Sequence, residues 1–159
     1  MWDQTAMTAG SQLIVALVVG KRTHEQTKAL VHAAQQRLRP RHLPAIFAEA
    51  YAGDASAILD AFGQRSPVPS ASQGGRPARP QLRWPQGGAY GQVNKPYKGR
   101  GIERVAVRVI PGKARLNPVL SLLGDKVMTT SVVERHKGTS RLRKQRKVRK
   151  TLAFAKATR

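Results

Sequence analysis

The distribution of acids constrains this chain more than any other feature. No aspartate or glutamate follows Glu134, whereas Arg135, Lys137, Arg141, Arg143, Lys144, Arg146, Lys147, Arg149, Lys150, Lys156 and Arg159 all do. Such a run repels itself and is best stabilised against a polyanion, so its charge points first to nucleic acid. Two details separate it from a merely solvated tail. One carboxylate stands just ahead of the cations, an odd choice for pure phosphate binding. In addition, Val127, Val132, Val133, Leu142, Val148, Leu152 and Phe154 are interspersed, which gives part of the stretch apolar surface to pack.

The rest of the composition agrees. The 159 residues carry 29 Lys and Arg against eight acids, a net charge of +21. That length supports one hydrophobic core but not two. Without cysteine, disulfides and thiolate zinc sites are excluded. His24, His32, His42 and His136 have no paired metal-ligand spacing and read as surface residues. The longest apolar run, Leu13 to Val19, is far short of the roughly eighteen residues a spanning helix needs. Asp3 precedes it and no cation does, unlike a secretory leader, so the expectation is a strand in a cytoplasmic protein without membrane association.

Taken in order, residues 2–8 and 12–19 read as two strands around Ala9-Gly10-Ser11. The second is β-branched and continuous, as expected at the centre of a sheet. Thr23 with Gln26 three residues on is a capping-box pattern, so a helix is expected from Thr23 until Pro40. A strand over 43–48 and a helix over 54–62, ended by Gly63, follow. The order β-β-α-β-α points to an α/β sheet. Between Asp60 and Glu103 there is no acid, and Pro67, Pro69, Pro77, Pro80 and Pro85 alternate with Ser, Gly and Arg. Such a stretch cannot bury enough apolar surface to fold by itself and reads as a linker or insertion. Its Arg65, Arg76, Arg79 and Arg83, with Trp84 and Tyr90, could track phosphates and stack on bases, or form a basic loop without a specific role. Residues 89–94 and 102–110 read as strands. In the second, Val105, Val107 and Val109 alternate with Arg104, Ala106 and Arg108, the period of a half-buried strand. A helix over 117–123, with Pro118 in its first turn, leads to the last helix.

Three short strings carry a family resemblance: Thr130-Ser131-Val132-Val133-Glu134-Arg135, Gly138-Thr139-Ser140-Arg141 and Arg146-Lys147-Val148-Arg149-Lys150-Thr151. They resemble the C-terminal end of insertion-sequence transposases of the insertion-sequence-one-like subgroup, which have a DDE catalytic core of ribonuclease H type. The resemblance covers roughly residues 2–63 and 89–155. It implies an α/β fold with a ribonuclease H-like mixed sheet, flanking helices, a Pro/Gly-rich insertion and a basic C-terminal helix or tail. The expected segments are 1–63 and 89–128 for the core, 64–88 for the linker and 129–159 for the C-terminal helix and tail.

The activity implied is metal-dependent DNA cleavage and strand transfer, with two Mg2+ or Mn2+ ions held by three carboxylates. The resemblance makes Glu134 the third of these acids. It places the second at Glu49, within Phe47-Ala48-Glu49-Ala50-Tyr51, where the family usually has aspartate. The first falls on Thr8, because a context like W-x-x-T-A-x-D reads here Trp2-Asp3-Gln4-Thr5-Ala6-Met7-Thr8. Asp3 is five residues away and would point to the opposite face of a regular strand, whereas Asp54 and Asp60 would lie on a helix surface. Glu49 and Glu134 are thus the candidate metal ligands. With one acid kept, one changed and one lost, the expectation is an impaired copy, truncated before the first core strand. DNA contacts are expected from Arg135, Arg141, Arg143, Lys144, Arg146, Lys147, Arg149 and Lys150, with possible homo-oligomers on DNA. A different class, a non-enzymatic basic nucleic-acid binder of ribosomal type, explains the dispersed cations equally well but not Glu134. Anionic-membrane association is weak, because the C-terminal stretch has few bulky apolar residues.

Overall fold

A computed structural model describes residues 2–38, 43–66, 80–99, 101–102, 104–124 and 130–143. It is a mixed α/β structure. Strands β1 (Trp2–Met7) and β2 (Ile14–Gly20) form an antiparallel hairpin, with Trp2 opposite Gly20, Asp3 opposite Val19 and a register shift between Ala6 and Met7. Gln12 in the connecting turn takes a left-handed φ of 56°. Helix α1 (His24–Gln36) begins where expected, with the Thr23 hydroxyl accepting from the Gln26 N–H at 3.4 Å. It ends at Gln36, ahead of Pro40, which lies outside the described residues. The helix packs on both hairpin strands and on α2 (Asp54–Phe62). Its buried Thr27 reaches Gln4 of β1, and Lys28 pairs with Asp60 of α2 at 2.5 Å. Both ends of that ion pair are well exposed, so it contributes little.

The second sheet is mixed. β3 (Ala45–Glu49) runs parallel to β6 (Ala89–Asn94), with Ala45 opposite Ala89 and Glu49 opposite Val93, and β9 (Ala106–Val109) completes it antiparallel to β6. The core gathers on β6 and α2: Ala57, Ile58, Ala61, Ala89, Tyr90 and Val93 are buried, joined by Leu116. Leu116 lies on α3 (Lys113–Leu122), whose Arg115 guanidinium donates to the Gly87 and Leu43 carbonyls and so ties the helix to the approach of β3. The last described helix is α4 (Ser131–Arg143), which packs on β1. No helix among the described residues is long and apolar enough to cross a membrane.

Several expectations are corrected. β2 pairs only with β1 among the described residues, and Ile14, Leu17 and Val19 are about half exposed. A β-branched run specifies an extended backbone but not how many neighbours the strand acquires. β9 is shorter than expected and does not alternate cleanly: Val105 and Val107 are exposed, as an edge position allows. α3 starts four residues before Asn117. Its start is set by Gly112, whose φ of 75° ends the preceding loop, and Pro118 is accommodated inside the helix. The margins of the Pro-rich stretch are ordered, because β4 (Gln64–Arg65) pairs antiparallel with β5 (Leu82–Arg83). Beyond them, β7 (Tyr97–Lys98) and β8 (Gly101–Ile102) make a short antiparallel pair. Finally, Tyr90 is fully buried and stacks on Trp84 at 5.7 Å, so that pair packs the core rather than offering a surface for bases.

Candidate functional site

Parallel strands deliver their ends to the same side of a sheet, and here β3 and β6 both finish where charged residues gather. Glu49 closes β3, and the Ala50 N–H still donates to the Val93 carbonyl at 3.1 Å. The chain then turns through Tyr51 and Gly53 into α2, with the Asp54 N–H bonded to the Tyr51 carbonyl. On the neighbouring strand Lys95 follows Asn94 and reaches α4. Its ammonium donates to the Thr130 hydroxyl at 3.4 Å and pairs with the Glu134 carboxylate. The Thr130 hydroxyl donates to the same carboxylate oxygen at 2.7 Å. These two donors, Lys95 first, hold Glu134 below its ordinary glutamate value.

Asp54 behaves differently. Burial pushes its carboxyl up to about 6; the nearby charges of Arg22 and Lys137 oppose the shift and that of Glu49 adds to it. Asp54 therefore lies among residues from β3, α4 and the segment after β2, which corrects the expectation of a surface role. Lys137, three residues beyond Glu134 on α4, acts on both carboxylates. Beneath them, burial first and the charge of Asp54 second push the Tyr90 hydroxyl up to about 12. Gln92 approaches that hydroxyl without meeting hydrogen-bond geometry, which leaves the phenol oxygen buried without a hydrogen-bond partner among the described residues.

Thr8 is occupied elsewhere. It follows the far end of β1, where its hydroxyl accepts from the Leu13 N–H at 3.1 Å and shares a hydrogen bond with Ser11. The start of β1 is the end associated with the acids. The Arg22 guanidinium sits 5.6 Å from the Trp2 ring centroid and 4.8 Å from that of Tyr51, two residues past Glu49. A six-residue strand spans about 20 Å, so Thr8 is separated from that end by the length of β1. Thus Glu49, Asp54 and Glu134 share a neighbourhood, whereas Thr8 serves the hairpin turn.

This arrangement does not fit a pair of divalent cations. The Thr8 hydroxyl is neutral and locally bonded, and the Lys95 ammonium already neutralises Glu134. Among the described residues no three His, Asp or Glu side chains form a group that could hold a metal ion. Glu49 closes β3 and Glu134 meets Lys95 just past β6, but among the described residues they do not make the expected metal centre.

Of the expected DNA-contacting residues, Arg135 is exposed on the first turns of α4, and Arg141 and Arg143 belong to its last turn. Lys144, Arg146, Lys147, Arg149 and Lys150 lie outside the described residues. Sequence reasoning missed Arg22, Asp54, Lys95, Thr130 and Lys137. The only local signal was that Lys95 and Asp54 follow the two parallel strands, whose shared end is where charged groups meet. No protein-family model, no curated protein and no solved structure matches the chain.

Proposed function

We propose that the chain is a DNA transposase core of DDE type, built on a ribonuclease H-like plan, that engages DNA while its metal-dependent cutting is impaired. One observation carries this reading: Glu49 closes β3, and Lys95, just past the parallel strand β6, pairs with Glu134 of α4, so acids of two distant segments are set at the shared end of the two strands. Acids brought from distant parts of a sheet to one edge follow the plan of a DDE core, here short of the ligands that two metal ions need. The surrounding cations are what a phosphodiester backbone requires. A chain of net charge +21 adds long-range attraction for DNA with little sequence preference.

The Lys95–Glu134 pair favours a second reading, a basic nucleic-acid binder without catalysis, because it satisfies the carboxylate internally. Nicking of supercoiled DNA in Mn2+ separates the two. Lys95→Met frees Glu134. Nicking that rises in this variant and vanishes when Glu134→Gln is added supports the transposase reading. DNA binding that is unaffected by Glu134→Gln, with no nicking in any variant, leaves the binder. In either case the affinity for DNA falls steeply with salt, by about 0.9 in logarithmic slope for each phosphate neutralised on duplex.

A further inference from the structure

We infer that Trp2, Arg22 and Tyr51 form a stacking platform for an unpaired base, so that single-stranded DNA is held at the acid-bearing end of the sheet. The inference rests on the DNA-binding reading above and names the form of DNA this end receives. Arg22 lies over both rings, 5.6 Å from the Trp2 centroid and 4.8 Å from that of Tyr51, which makes a ladder of ring, guanidinium and ring. The ladder is held in place. Trp2 opens β1 opposite Gly20, two residues before Arg22, so the hairpin register sets their approach. Gly53 packs against Tyr51 so closely that a Cβ there would lie 2.9 Å from both Tyr51 Cε1 and His24 Nδ1.

The ladder is also accessible. Trp2 is 46 % exposed, Arg22 and the adjoining Lys21 are exposed, and Tyr51 is half-buried. A large ring kept at the surface beside two cations in so basic a chain complements a nucleobase and its phosphate rather than an apolar protein face. Bases in a duplex are already stacked on their neighbours, so only an unpaired base can use the platform. Tyr51 lies two residues past Glu49, and the charges of Arg22 and Lys137 both act on the Asp54 carboxyl, which sets the bound strand beside the acids of the site.

The test compares a short oligothymidylate with a duplex of equal length, using fluorescence anisotropy of labelled DNA. Trp2→Ala is expected to weaken oligothymidylate binding about five- to 150-fold, the loss of one base–aromatic stack. The slope against salt stays unchanged because no cation is removed, and duplex affinity is unchanged as well. Trp2→Phe, which keeps a ring, restores most of the affinity. The chain has two tryptophans, so in a Trp84→Phe background Trp2 alone reports, and oligothymidylate quenches its emission. Unchanged oligothymidylate affinity in a natively folded Trp2→Ala overturns the inference. So does absent quenching in the Trp84→Phe background, which decides the matter if Trp2→Ala does not fold. Binding of duplex that survives these failures leaves the DNA-binding reading standing. Wild type that binds neither form of DNA overturns both.

Discussion

Removing the Lys95 ammonium probes the contact that holds α4 to the end of β6. Lys95→Met keeps most of the apolar stem and deletes the charge, so the loss isolates the pair with Glu134 and the bond to Thr130. The magnitude follows from exposure. An ion pair open to solvent contributes about 0–1 kcal/mol, whereas breaking a buried one costs about 3–5 kcal/mol. Lys95 is 20 % exposed and Glu134 41 %, and Glu134 keeps the Thr130 hydroxyl as a donor after the substitution. A loss of about 1–1.5 kcal/mol is expected, which for a chain of this size lowers Tm by about 2–6 °C. Urea denaturation of wild type, Lys95→Met, Glu134→Gln and the double variant gives the coupling directly, expected at about 1 kcal/mol.

The pH dependence adds a second constraint. Glu134 is held below its unfolded value, so its contribution is fully present above about pH 4.3 and is lost as pH falls through the lower folded value. The deficit of Lys95→Met should therefore be constant near neutrality and shrink in acid. Additive single-variant effects, or a deficit that does not shrink as Glu134 protonates, would refute the pairing as the source of the stability.

Three further outcomes follow from the structure. Asp54 is held at about 6, above its unfolded value, so its ionised form burdens the folded state above that pH and not below about pH 3.8. Asp54→Asn should raise the urea midpoint at pH 7 and lose that advantage by pH 4. Gly112→Ala should destabilise by at least about 2 kcal/mol in the same assay, because its φ is 75° and the added Cβ would lie 2.2 Å from the Gly88 carbonyl oxygen; Gly99→Ala, at φ 62° with open space around it, should cost about 1 kcal/mol. Gln12→Gly should stabilise the hairpin by up to about 1 kcal/mol, since glycine adopts the left-handed conformation at position 12 without the strain a side chain brings, and thermal melts read the gain.

Legibility in the sequence divided along the range of the interactions involved. Helix α2 begins at Asp54 and ends before Gly63 as read, β6 spans the expected Ala89–Asn94, and the Thr23 cap opens α1, because each boundary is set by residues within a turn of it. The strength of β2 as a strand was equally plain, but its edge position was not, since pairing depends on which other strand arrives. Pro118 misled at α3 because proline suits a first turn, while the left-handed Gly112 that starts the helix lies outside it. At the site, Glu49 and Glu134 stand on the elements expected of them. Lys95 was invisible as a partner because 39 residues separate it from Glu134. Arg22 and Asp54 become neighbours only once β1, β3 and α2 are packed. The sequence around Thr8 resembles the setting of an acid, while its hydroxyl serves the hairpin turn.

The small pair β4–β5 has a consequence for how this chain can change. Ser66 and Gln81 are bonded across its mouth at 2.8 Å, so the Pro-rich stretch leaves and rejoins the core through adjacent feet. Once the feet are joined, each doubling of the length between them costs only about 0.6 kcal/mol of loop entropy. The strands on either side keep their spacing whatever that length is. The route from the end of α2 to the start of β6 is therefore set by residues 64–66 and 81–83, which bond to one another directly.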